Sequence, residues 1–426
     1  MNNLKYSNTV LINLIIASII PFLIWGPFFP DLIVSVSALF FLYYVLKNDN
    51  FYYFNNIVFI IFLLFCIIST ILSLGAEDIS LSIKSSLFYF RIGVFSCFIW
   101  YLIDKDKSIL TYFYYALILC FSALVIDGYF QYFTGANIFG FKMGLAGGPE
   151  RVSSFFGDEL IMGSYLSRLF PLLFALFLVK QKQKFEIYFI GILFILVDIL
   201  IFMSGERAAF FFLNLSTVFI IILIKEYQKF RLVTFIMAII CIVVLSLNSS
   251  KLNDRMFKNP AEDMGLIKTS KVKKQSIIFS AGHDSLYRTA YNMFKDKPIL
   301  GHGPKMFRVI CKDEKYAVGV SPCMTHPHNF YLQLLAETGI VGFLFLFAAL
   351  GYVLYVALRQ FKCVIFKQKR PLTDYQVCLL AGILITVWPF SPNGNFFNNW
   401  LMIAYSLPVG FYLQSIYSKK LTKEDN

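Results

Sequence analysis

The sequence predicts an all-α polytopic membrane protein, and three observations support this fold class. Hydrophobic residues make up 58% of the 426 residues, whereas charged residues make up only 15%. The mean hydropathy is +0.68, which is far above that of soluble domains. The apolar residues also fall into twelve runs that approach or exceed the ~20 residues of a spanning helix. We therefore expect about twelve transmembrane helices and one large loop.

The predicted spans follow the apolar runs in chain order. They cover residues 8–24, 31–46, 57–74, 83–103, 109–133, 159–179, 185–203, 208–224, 231–247, 330–358, 373–390 and 397–417. The first two runs are short and share a turn that contains Pro27 and Pro30. Run 330–358 is longer than one span requires, so it is predicted to hold a surface helix and then the span.

The basic residues predict how the spans are oriented. With both termini in the cytoplasm, the cytoplasmic segments hold 18 Lys and Arg, among them Arg231, and the short outer loops hold only 3. This bias follows the positive-inside rule and predicts a multi-pass membrane protein with both termini in the cytoplasm. We expect transmembrane helices 1–9 in residues 1–247, a periplasmic loop in 248–328, and helices 10–12 with a cytoplasmic tail in 329–426.

The net charge of +13 does not point to nucleic acid, because the charge is divided by membrane side. The 49 Phe and 25 Tyr are expected at lipid-facing and interfacial positions and not in a base-stacking surface. No nucleic-acid partner is therefore expected.

The loop 248–328 is expected to fold against the membrane surface. Asp284 or Ser285 could cap a short helix that ends before Pro298. The apolar face of this helix would hold Leu286, Ala290 and Phe294. Arg288 would point away from that face.

Two of the eight cysteines differ from the rest. Six lie in or beside spans, where a small buried side chain is the expected role. Cys311 and Cys323 lie in the outer loop, in an oxidising compartment if this is a bacterial envelope protein. Two interpretations stay open, a disulfide that holds the segment before His326 and two unpaired thiols, because spacing alone does not fix geometry.

The histidines of the chain, His283, His302, His326 and His328, fall within one segment of the outer loop. An imidazole with a pKa near neutrality can take the proton of an attacking hydroxyl. His-x-His could instead supply two metal ligands, but the acids of the loop show no ligand spacing around the histidines. In the third interpretation the histidines are ordinary surface side chains. We favour the general base and expect no metal site.

The stretch around the last two histidines predicts a helix start at the membrane surface. Pro327 suits the first helical position, where its missing N–H costs nothing. His328 and Asn329 would then lie in the first turn. Gly339 and Gly342 follow, and this pair predicts a kink or a close-packing site where the helix enters the bilayer.

Two arginines near the loop could bind phosphate. Arg207 lies where the eighth span begins, beside Ser204 and Gly205, and a helix N-terminus there adds partial positive charge. Arg288, on the polar face of the loop helix, has the same chemical capacity. The structural alternatives are membrane-edge anchoring for Arg207 and solvation for Arg288.

Charged residues also fall inside predicted spans, in the halves nearest the loop: Arg91, Asp127, Arg168 and Asp198. Charge inside a membrane usually marks an ion pair or a functional cavity. The structural interpretation pairs Arg91 with Asp127 and Arg168 with Asp198. The functional interpretation is a polar cavity that opens outwards, and Arg151 could line the same cavity.

At its histidine stretch the chain resembles the bacterial O-antigen ligase family and the wider superfamily that this family shares with O-antigen polymerases. The family signature is a histidine, then Asn, Ser or Gln, nine residues, a glycine, and a second small residue three positions on. His328, Asn329, Gly339 and Gly342 match this signature.

Upstream motifs extend the resemblance. The turn 204–207 is similar to the family's Ser-Gly-x-Arg turn. Arg288 and segment 296–303 are similar to its arginine followed by Asp-x-Pro, two hydrophobic residues and Gly-x-Gly. Segment 150–165 resembles the family's approach to a span, although Asp158 and Glu159 replace the more usual Asn-Pro-Asn.

The resemblance implies a GT-C-type membrane glycosyltransferase that acts at the periplasmic face. It would move a glycan from undecaprenyl pyrophosphate to a hydroxyl of a lipid A–core sugar, with inversion, without a metal and without a cofactor. It implies His328 as the base or orienting group and Arg207 and Arg288 as pyrophosphate ligands. The other expected substrate-binding residues are Arg91, Arg151, Arg168, His326 and Asn329, and the expected structural residues are Gly339, Gly342, Cys311 and Cys323.

Two other functions stay open. A polymerase, or another transferase that draws on the same lipid carrier, would use the same histidine and arginines with a different acceptor. A polysaccharide transporter or flippase would belong to another class. Transporters tend to contain repeats and midplane sites, whereas this chain shows no internal repeat and its polar residues gather near the outer face.

Overall fold

The computed structural model describes residues 2–144, 150–180, 183–264, 266 and 279–424, with side chains from residue 9 to residue 418. Part of the predicted loop, at 265 and 267–278, lies outside these ranges. The regular secondary structure of the described residues is helical, apart from isolated β-bridges between 136 and 142 and between 144 and 151.

The helices follow one another in chain order. The first half contains α1 (Asn2–Ala17), α2 (Ile19–Trp25), α3 (Phe28–Lys47), α4 (Ile57–Leu72), α5 (Ile79–Ser86), α6 (Phe90–Lys105), α7 (Ser108–Thr134), α8 (Met162–Val179) and α9 (Lys184–Met203). The second half contains α10 (Arg207–Leu223), α11 (Gln228–Asn248), α12 (Ser250–Asn253), α13 (Asn259–Asp263), α14 (Ala281–Asp296), α15 (Phe307–Ile310), α16 (Phe330–Ile365), α17 (Asp374–Thr386) and α18 (Asn399–Glu424).

Each predicted apolar run coincides with a helix or a helix pair. Within the described ranges, 8 helical stretches are long and apolar enough to cross a membrane: Phe28–Lys47, Ile57–Gly75, Ile79–Lys105, Ser108–Thr134, Met162–Val179, Lys184–Met203, Gln228–Asn248 and Phe330–Ile365. Thr9–Trp25, Arg207–Leu223 and Asp374–Thr386 are apolar but shorter. The chain is therefore an all-α multi-pass membrane protein, and the count of twelve spans stays a prediction.

The connections that were predicted on one side of the membrane meet at one end of the helix bundle, which we call the site end. Tyr89, just before α6, donates its hydroxyl to the Phe396 carbonyl before α18 at 2.8 Å. The Arg151 guanidinium, from the segment between α7 and α8, donates to the Ser204 carbonyl between α9 and α10 at 2.9 Å. The described parts of loop 248–328 contact the same end, where Arg255 donates to the Gly205 carbonyl at 2.9 Å and the His328 carbonyl accepts the Asn393 N–H at 2.8 Å.

Helix α16 is interrupted at Gly339, where φ is 65° and ψ is −163°. In an unbroken helix the amides of residues 340 and 341 would bond to the carbonyls of 336 and 337. Segment 297–303, which we call the clasp, supplies a new partner for each of these two amides and two carbonyls. The replacement bonds are His302 N–H to Ala336 O at 3.1 Å, Gly303 N–H to Glu337 O at 2.7 Å, Ile340 N–H to Pro298 O at 2.9 Å and Val341 N–H to Ile299 O at 3.5 Å.

The close approach at this break requires glycine. A Cβ on Gly339 would lie 2.2 Å from a clasp carbonyl oxygen, and one on Gly301 would lie 2.5 Å from the Glu337 carbonyl carbon. Both glycines have φ of 65°, which side chains disfavour. A Cβ on Gly342, one turn later, would lie 1.9 Å from the Thr338 hydroxyl oxygen. The helix is thus kinked at Gly339, where the sequence predicts the kink.

The loop forms a small core of its own against the start of α16. This core contains Leu286, Tyr287, Ala290, Met293, Phe307, Cys311, Tyr316 and Ala336. Helix α14 begins earlier than predicted, because Ser280 is its N-cap and accepts the His283 N–H at 3.4 Å. Met293 completes the buried face, whereas Phe294 is only half-buried. A disulfide joins Cys311 to Cys323, whose Cα atoms lie 5.0 Å apart.

The predicted start of α16 at Pro327 is wrong, because the helix begins at Phe330. Asn329 is its N-cap, with Oδ1 accepting the Tyr331 and Leu332 N–H groups at 3.0 and 3.1 Å. An asparagine cap satisfies two free amides at once, whereas a proline at N1 only removes one. His328 therefore lies before the helix and not in its first turn.

The predicted pairing of Arg91 with Asp127 is wrong. Arg91 on α6 pairs with Asp31 on α3. Asp127 on α7 instead accepts the Ser154 hydroxyl at 2.6 Å and the Ile138 N–H at 2.9 Å. The segment that follows α7 folds back over Asp127, and donors from this segment take the place of a cation as partners of the carboxylate.

The predicted pairing of Arg168 with Asp198 is also wrong. Asp198 on α9 forms a buried ion pair with Arg231 on α11 at 2.9 Å, and Thr217 on α10 accepts from the same guanidinium at 2.8 Å. Arg231 therefore lies inside the bundle and not in a cytoplasmic segment. Helix α11 starts beside the middle of α9, as the contact of its Phe230 with Gly191 shows.

Candidate functional site

Three of the histidines meet at the site end. The His328 ring centroid lies 4.2 Å from that of His326 and 5.7 Å from that of His283. His302 is not part of this cluster, since it belongs to the clasp and its Nε2 lies 3.1 Å from the Met293 carbonyl oxygen. The histidine cluster is thus His283, His326 and His328, with His328 in the middle.

The backbone holds His328 in an unusual conformation. Its φ is 56°, in the left-handed region, where a non-glycine residue costs about 1–3 kcal/mol. The His328 carbonyl accepts the Asn393 N–H at 2.8 Å, and the Asn393 side-chain oxygen accepts from Arg168 at 2.6 Å. Arg168 therefore acts on the loop that holds His328 and not on the histidine cluster itself.

Asn329 also fixes the segment that carries His328. Besides capping α16, it donates its side-chain amide to the Pro389 carbonyl at 2.8 Å. Both polar atoms of the side chain are thus engaged with backbone. In this structure Asn329 positions its neighbour His328.

The surroundings of the cluster lower the pKa of every ring. Burial, the charge of His328 and the charge of Arg308 lower the pKa of His326 to about 3. Burial, the charge of His328 and the charge of Arg207 lower the pKa of His283 to about 4. Burial also lowers the pKa of His328. A proton in this cluster therefore resides on His328, while both neighbours stay neutral.

Arg207 is the exposed cation of the site. It is the first residue of α10, where the helix N-terminus adds partial positive charge. No hydrogen bond or ion pair holds its guanidinium among the described residues. Its charge is one of the causes that lower the pKa of His283, after burial and the charge of His328.

Two further arginines flank Arg207. Arg151 donates to the Ser204 carbonyl, and Arg255 donates to the Gly205 carbonyl, each through Nε at 2.9 Å. Burial and the charges of Arg151 and Arg207 lower the pKa of Arg255 to about 10. Cations that repel one another at a surface are typical of an anion-binding site.

One acid lies among these arginines, but it is already engaged. Glu206 accepts the Gly163 N–H at 2.6 Å, and it accepts the N–H and hydroxyl of Ser164 at 3.0 and 2.6 Å. It thus caps the start of α8 from outside that helix. Its closest approach to Arg151 is 4.0 Å. The site consequently keeps a surplus of positive charge.

The structure does not bring every predicted residue to this site. Arg91 lies on α6 and is held by Asp31. Arg288 is exposed and pairs with Asp284, one turn earlier on α14, at 2.9 Å. It contacts neither the histidine cluster nor the three arginines within the described part of the chain.

Several residues that contribute to the site are not indicated by the sequence. Arg255 has no motif around it, and nothing in a loop sequence indicates which arginine folds back over Gly205. Asn393 has no signal in the sequence either, because a backbone N–H that bonds to the His328 carbonyl leaves none. His283 was named without a role, although the spacing Ser280-x-x-His283 is an N-cap signal that could have placed it in a first helical turn.

A cavity of about 180 Å³ lies beside the arginines. Its wall includes the backbone of Gly205, the side chain of Arg255, and Glu150 and Lys251, which form an ion pair at 3.5 Å. Across the described residues, no group of three His, Cys, Asp or Glu side chains is arranged to hold a metal ion.

Residues 190–347 match the family model described as O-antigen ligase. The match contains Arg207, the clasp, His328 and the kink at Gly339. No curated protein sequence matches the chain. The part of the chain in residues 190–347, which carries both the histidine cluster and the exposed arginine, is thus similar to the O-antigen ligase family.

Proposed function

We propose that this protein is a membrane glycosyltransferase that moves a glycan from undecaprenyl pyrophosphate to a hydroxyl of a lipid A–core sugar. The observation that supports this most is the free guanidinium of Arg207 next to a cluster of neutral imidazoles at one end of the bundle. The cation suits a pyrophosphate, and the imidazole suits the hydroxyl that displaces it.

In the proposed reaction His328 accepts the proton of the acceptor hydroxyl. The freed oxygen attacks the anomeric carbon, the bond from that carbon to the phosphate oxygen breaks, and the electron pair leaves with the pyrophosphate. His328 suits this role because it is the ring on which the cluster holds a proton. It is half-buried, so a substrate can reach it.

The arginines would stabilise the leaving pyrophosphate. Arg207 can turn its guanidinium to the phosphate because no group of the described chain holds it. Arg151 and Arg255 fix the turn before α10 and add positive potential behind it. Hydrogen bonds from arginine strengthen as negative charge develops, which favours the transition state over the ground state. Arg288 could join them only by leaving Asp284.

In this proposal the arginines take the charge-neutralising role that a metal ion has in other phosphate chemistry, so no metal or cofactor is needed. The reaction would take place at the periplasmic face of the inner membrane, with both termini in the cytoplasm. This orientation rests on the distribution of basic residues, which still favours it after Arg231 is removed from the count.

The test is transfer in proteoliposomes. Purified protein receives an undecaprenyl-pyrophosphate-linked glycan with and without lipid A–core, and each reaction is repeated with a chelator. Glycan on lipid A–core that is unaffected by chelator and lost in His328→Ala is the expected result. Longer lipid-linked chains without use of the acceptor would identify a polymerase. Absence of both products would favour a transporter.

A further inference from the structure

His283 has its two ring nitrogens in different situations. Nδ1 lies 2.8 Å from the Ser280 hydroxyl oxygen. Nε2 has no hydrogen-bond partner among the described residues. The same Ser280 oxygen accepts the His283 backbone N–H at 3.4 Å, as the N-cap of α14. One hydroxyl therefore fixes both the backbone and the ring of His283.

The arrangement fits the tautomer of the neutral ring in which the Ser280 hydroxyl donates to Nδ1. The Ser280 hydroxyl has one proton, and its only acceptor among the described residues is Nδ1 of His283. If the serine donates to Nδ1, the ring proton lies on Nε2. His283 thus presents an N–H donor that the described protein does not use.

The ring also remains neutral where a cation would be repelled. Burial and the charges of His328 and Arg207 lower the pKa of His283 to about 4. Its position in the first turn of α14 acts in the same direction, because the helix N-terminus disfavours positive charge. A neutral imidazole near a helix N-terminus can donate a hydrogen bond to an oxygen without adding charge.

His283 interacts with both parts of the site. Its ring centroid is 5.7 Å from that of His328, and it is the ring of the cluster whose pKa Arg207 lowers. In the proposed reaction the part of the site around His328 acts at the sugar, and the part around Arg207 binds the phosphate. The oxygen between the anomeric carbon and the phosphorus joins these two groups of the donor. A donor that is adjacent to His328 and within the electrostatic influence of Arg207 is suited to reach that oxygen.

We propose that His283 is a further catalytic residue, whose Nε2–H donates a hydrogen bond to the phosphate oxygen that leaves the anomeric carbon. This inference rests on the proposed function. As the carbon–oxygen bond breaks, the electron pair stays on that oxygen, and the hydrogen bond from His283 strengthens with the developing charge. The acceptor proton goes to His328, so His283 neither gains nor loses a proton.

Four variants test the role in the proteoliposome assay. His283→Leu removes the donor, and His283→Gln keeps an N–H donor of similar reach. Ser280→Asp keeps an N-cap of equal quality, but its carboxylate can only accept, so it draws the ring proton to Nδ1 and leaves Nε2 without one. Tyr291→Leu is the matched control, since Tyr291 is an exposed aromatic residue on the same helix.

We expect kcat to fall on the order of 100-fold in His283→Leu, which is typical for the loss of one preorganised donor. The kcat of Ser280→Asp should fall to a similar extent, and its unfolding temperature should be unchanged. His283→Gln should recover part of the activity, and Tyr291→Leu should match the wild type. The KM for the lipid-linked donor should change only a few-fold in all variants, because the bond strengthens mainly in the transition state.

Wild-type kcat in His283→Leu would overturn the role. Loss in His283→Leu together with full activity in Ser280→Asp would also overturn it, because the ring would then act by shape and not by its Nε2 proton. If the His283 variant does not fold, Ser280→Asp decides alone. If the wild type itself transfers no glycan, the proposed function fails and this inference fails with it.

Discussion

At the scale of single residues, the site depends on which of three neighbouring imidazoles takes a proton. The charge of His328 lowers the pKa of both His283 and His326. The two outer rings are therefore neutral whenever the middle ring is protonated. The sequence does not decide between His326 and His328 as base, although Asn329 and the spacing favour His328, and the electrostatics of the folded cluster favour His328 as well.

His328→Ala should abolish transfer while expression and donor binding stay close to wild type, because a base is needed only in the chemical step. His326→Ala should lose less, since the Nε2 of His326 is buried and without a hydrogen-bond partner among the described residues. Turnover numbers and binding of the lipid-linked donor are the measurements. Normal turnover in His328→Ala would remove His328 from the mechanism.

Activity should fall on the acid side as His328 becomes protonated, because a protonated imidazole cannot accept the hydroxyl proton. Burial lowers the pKa of His328 below its usual 6.5, so the protein should remain active to lower pH than an exposed histidine would allow. The pH dependence of kcat/KM measures this. An acid limb centred above pH 6.5 would be inconsistent with the buried cluster.

Arg207→Lys should lose most activity, because a point charge does not replace the planar fork of a guanidinium on phosphate. Arg288→Lys is the matched control, since Arg288 is exposed and its partner is Asp284, at 2.9 Å. Transfer rates of the two variants, at equal protein levels, are compared. Wild-type activity in Arg207→Lys would make that arginine an anchor at the membrane edge.

At the scale of the element, helix α16 and the clasp form one unit around Gly339. The helix gives up two of its own hydrogen bonds and receives equivalent ones from residues 297–303. The same unit carries His328 just before the helix, and the clasp follows directly on α14, which carries His283. The geometry of the histidine cluster is therefore set by this contact.

Gly339→Ala should destabilise the protein by about 1–3 kcal/mol or prevent folding, because its Cβ would lie 2.2 Å from a clasp oxygen at a φ of 65°. Gly351→Ala, in the same helix, meets no atom within 4 Å. It should be neutral or stabilise by about 0.5–1 kcal/mol, as alanine does in a helix. Thermal unfolding in detergent compares the two, and equal unfolding temperatures would contradict the role of the clasp.

Elements and contacts differ in how far the sequence predicts them. Hydropathy predicts the helices because each span must contain a run of apolar residues, and the Gly339 kink follows from a local motif. The partners of Arg91 and Arg168 depend on which helices are neighbours and on how each helix is rotated. The apolar pattern of a single helix indicates neither property. The start of α16 was misplaced because Pro327 and Asn329 both suit a helix start, and only the observed capping bonds distinguish them.

At the scale of the whole molecule, a buried ion pair joins helices of the bundle. Arg231 and Asp198 join α9 and α11, and the Arg231 guanidinium lies 4.5 Å from the ring centroid of Phe170 on α8. Asp198→Ala should destabilise the bundle by about 3–5 kcal/mol, because it leaves a buried cation without its counter-charge. The double variant Asp198→Leu with Arg231→Leu should recover much of that loss. Unfolding temperatures test both, and a single variant as stable as wild type would show that water already reaches the pair.

The break in α16 also has a consequence for how the chain is assembled in the membrane. The carbonyls of residues 336 and 337 lack helical partners, and Ala336 and Glu337 are fully buried. An unpaired backbone group in an apolar setting costs several kcal/mol, so α16 is a poor insertion substrate until the clasp has bonded to it. The clasp precedes α16 in the chain and is synthesised first. We therefore expect insertion of this helix and closure of the loop above it to be coupled, so that the three histidines come together when the helix inserts.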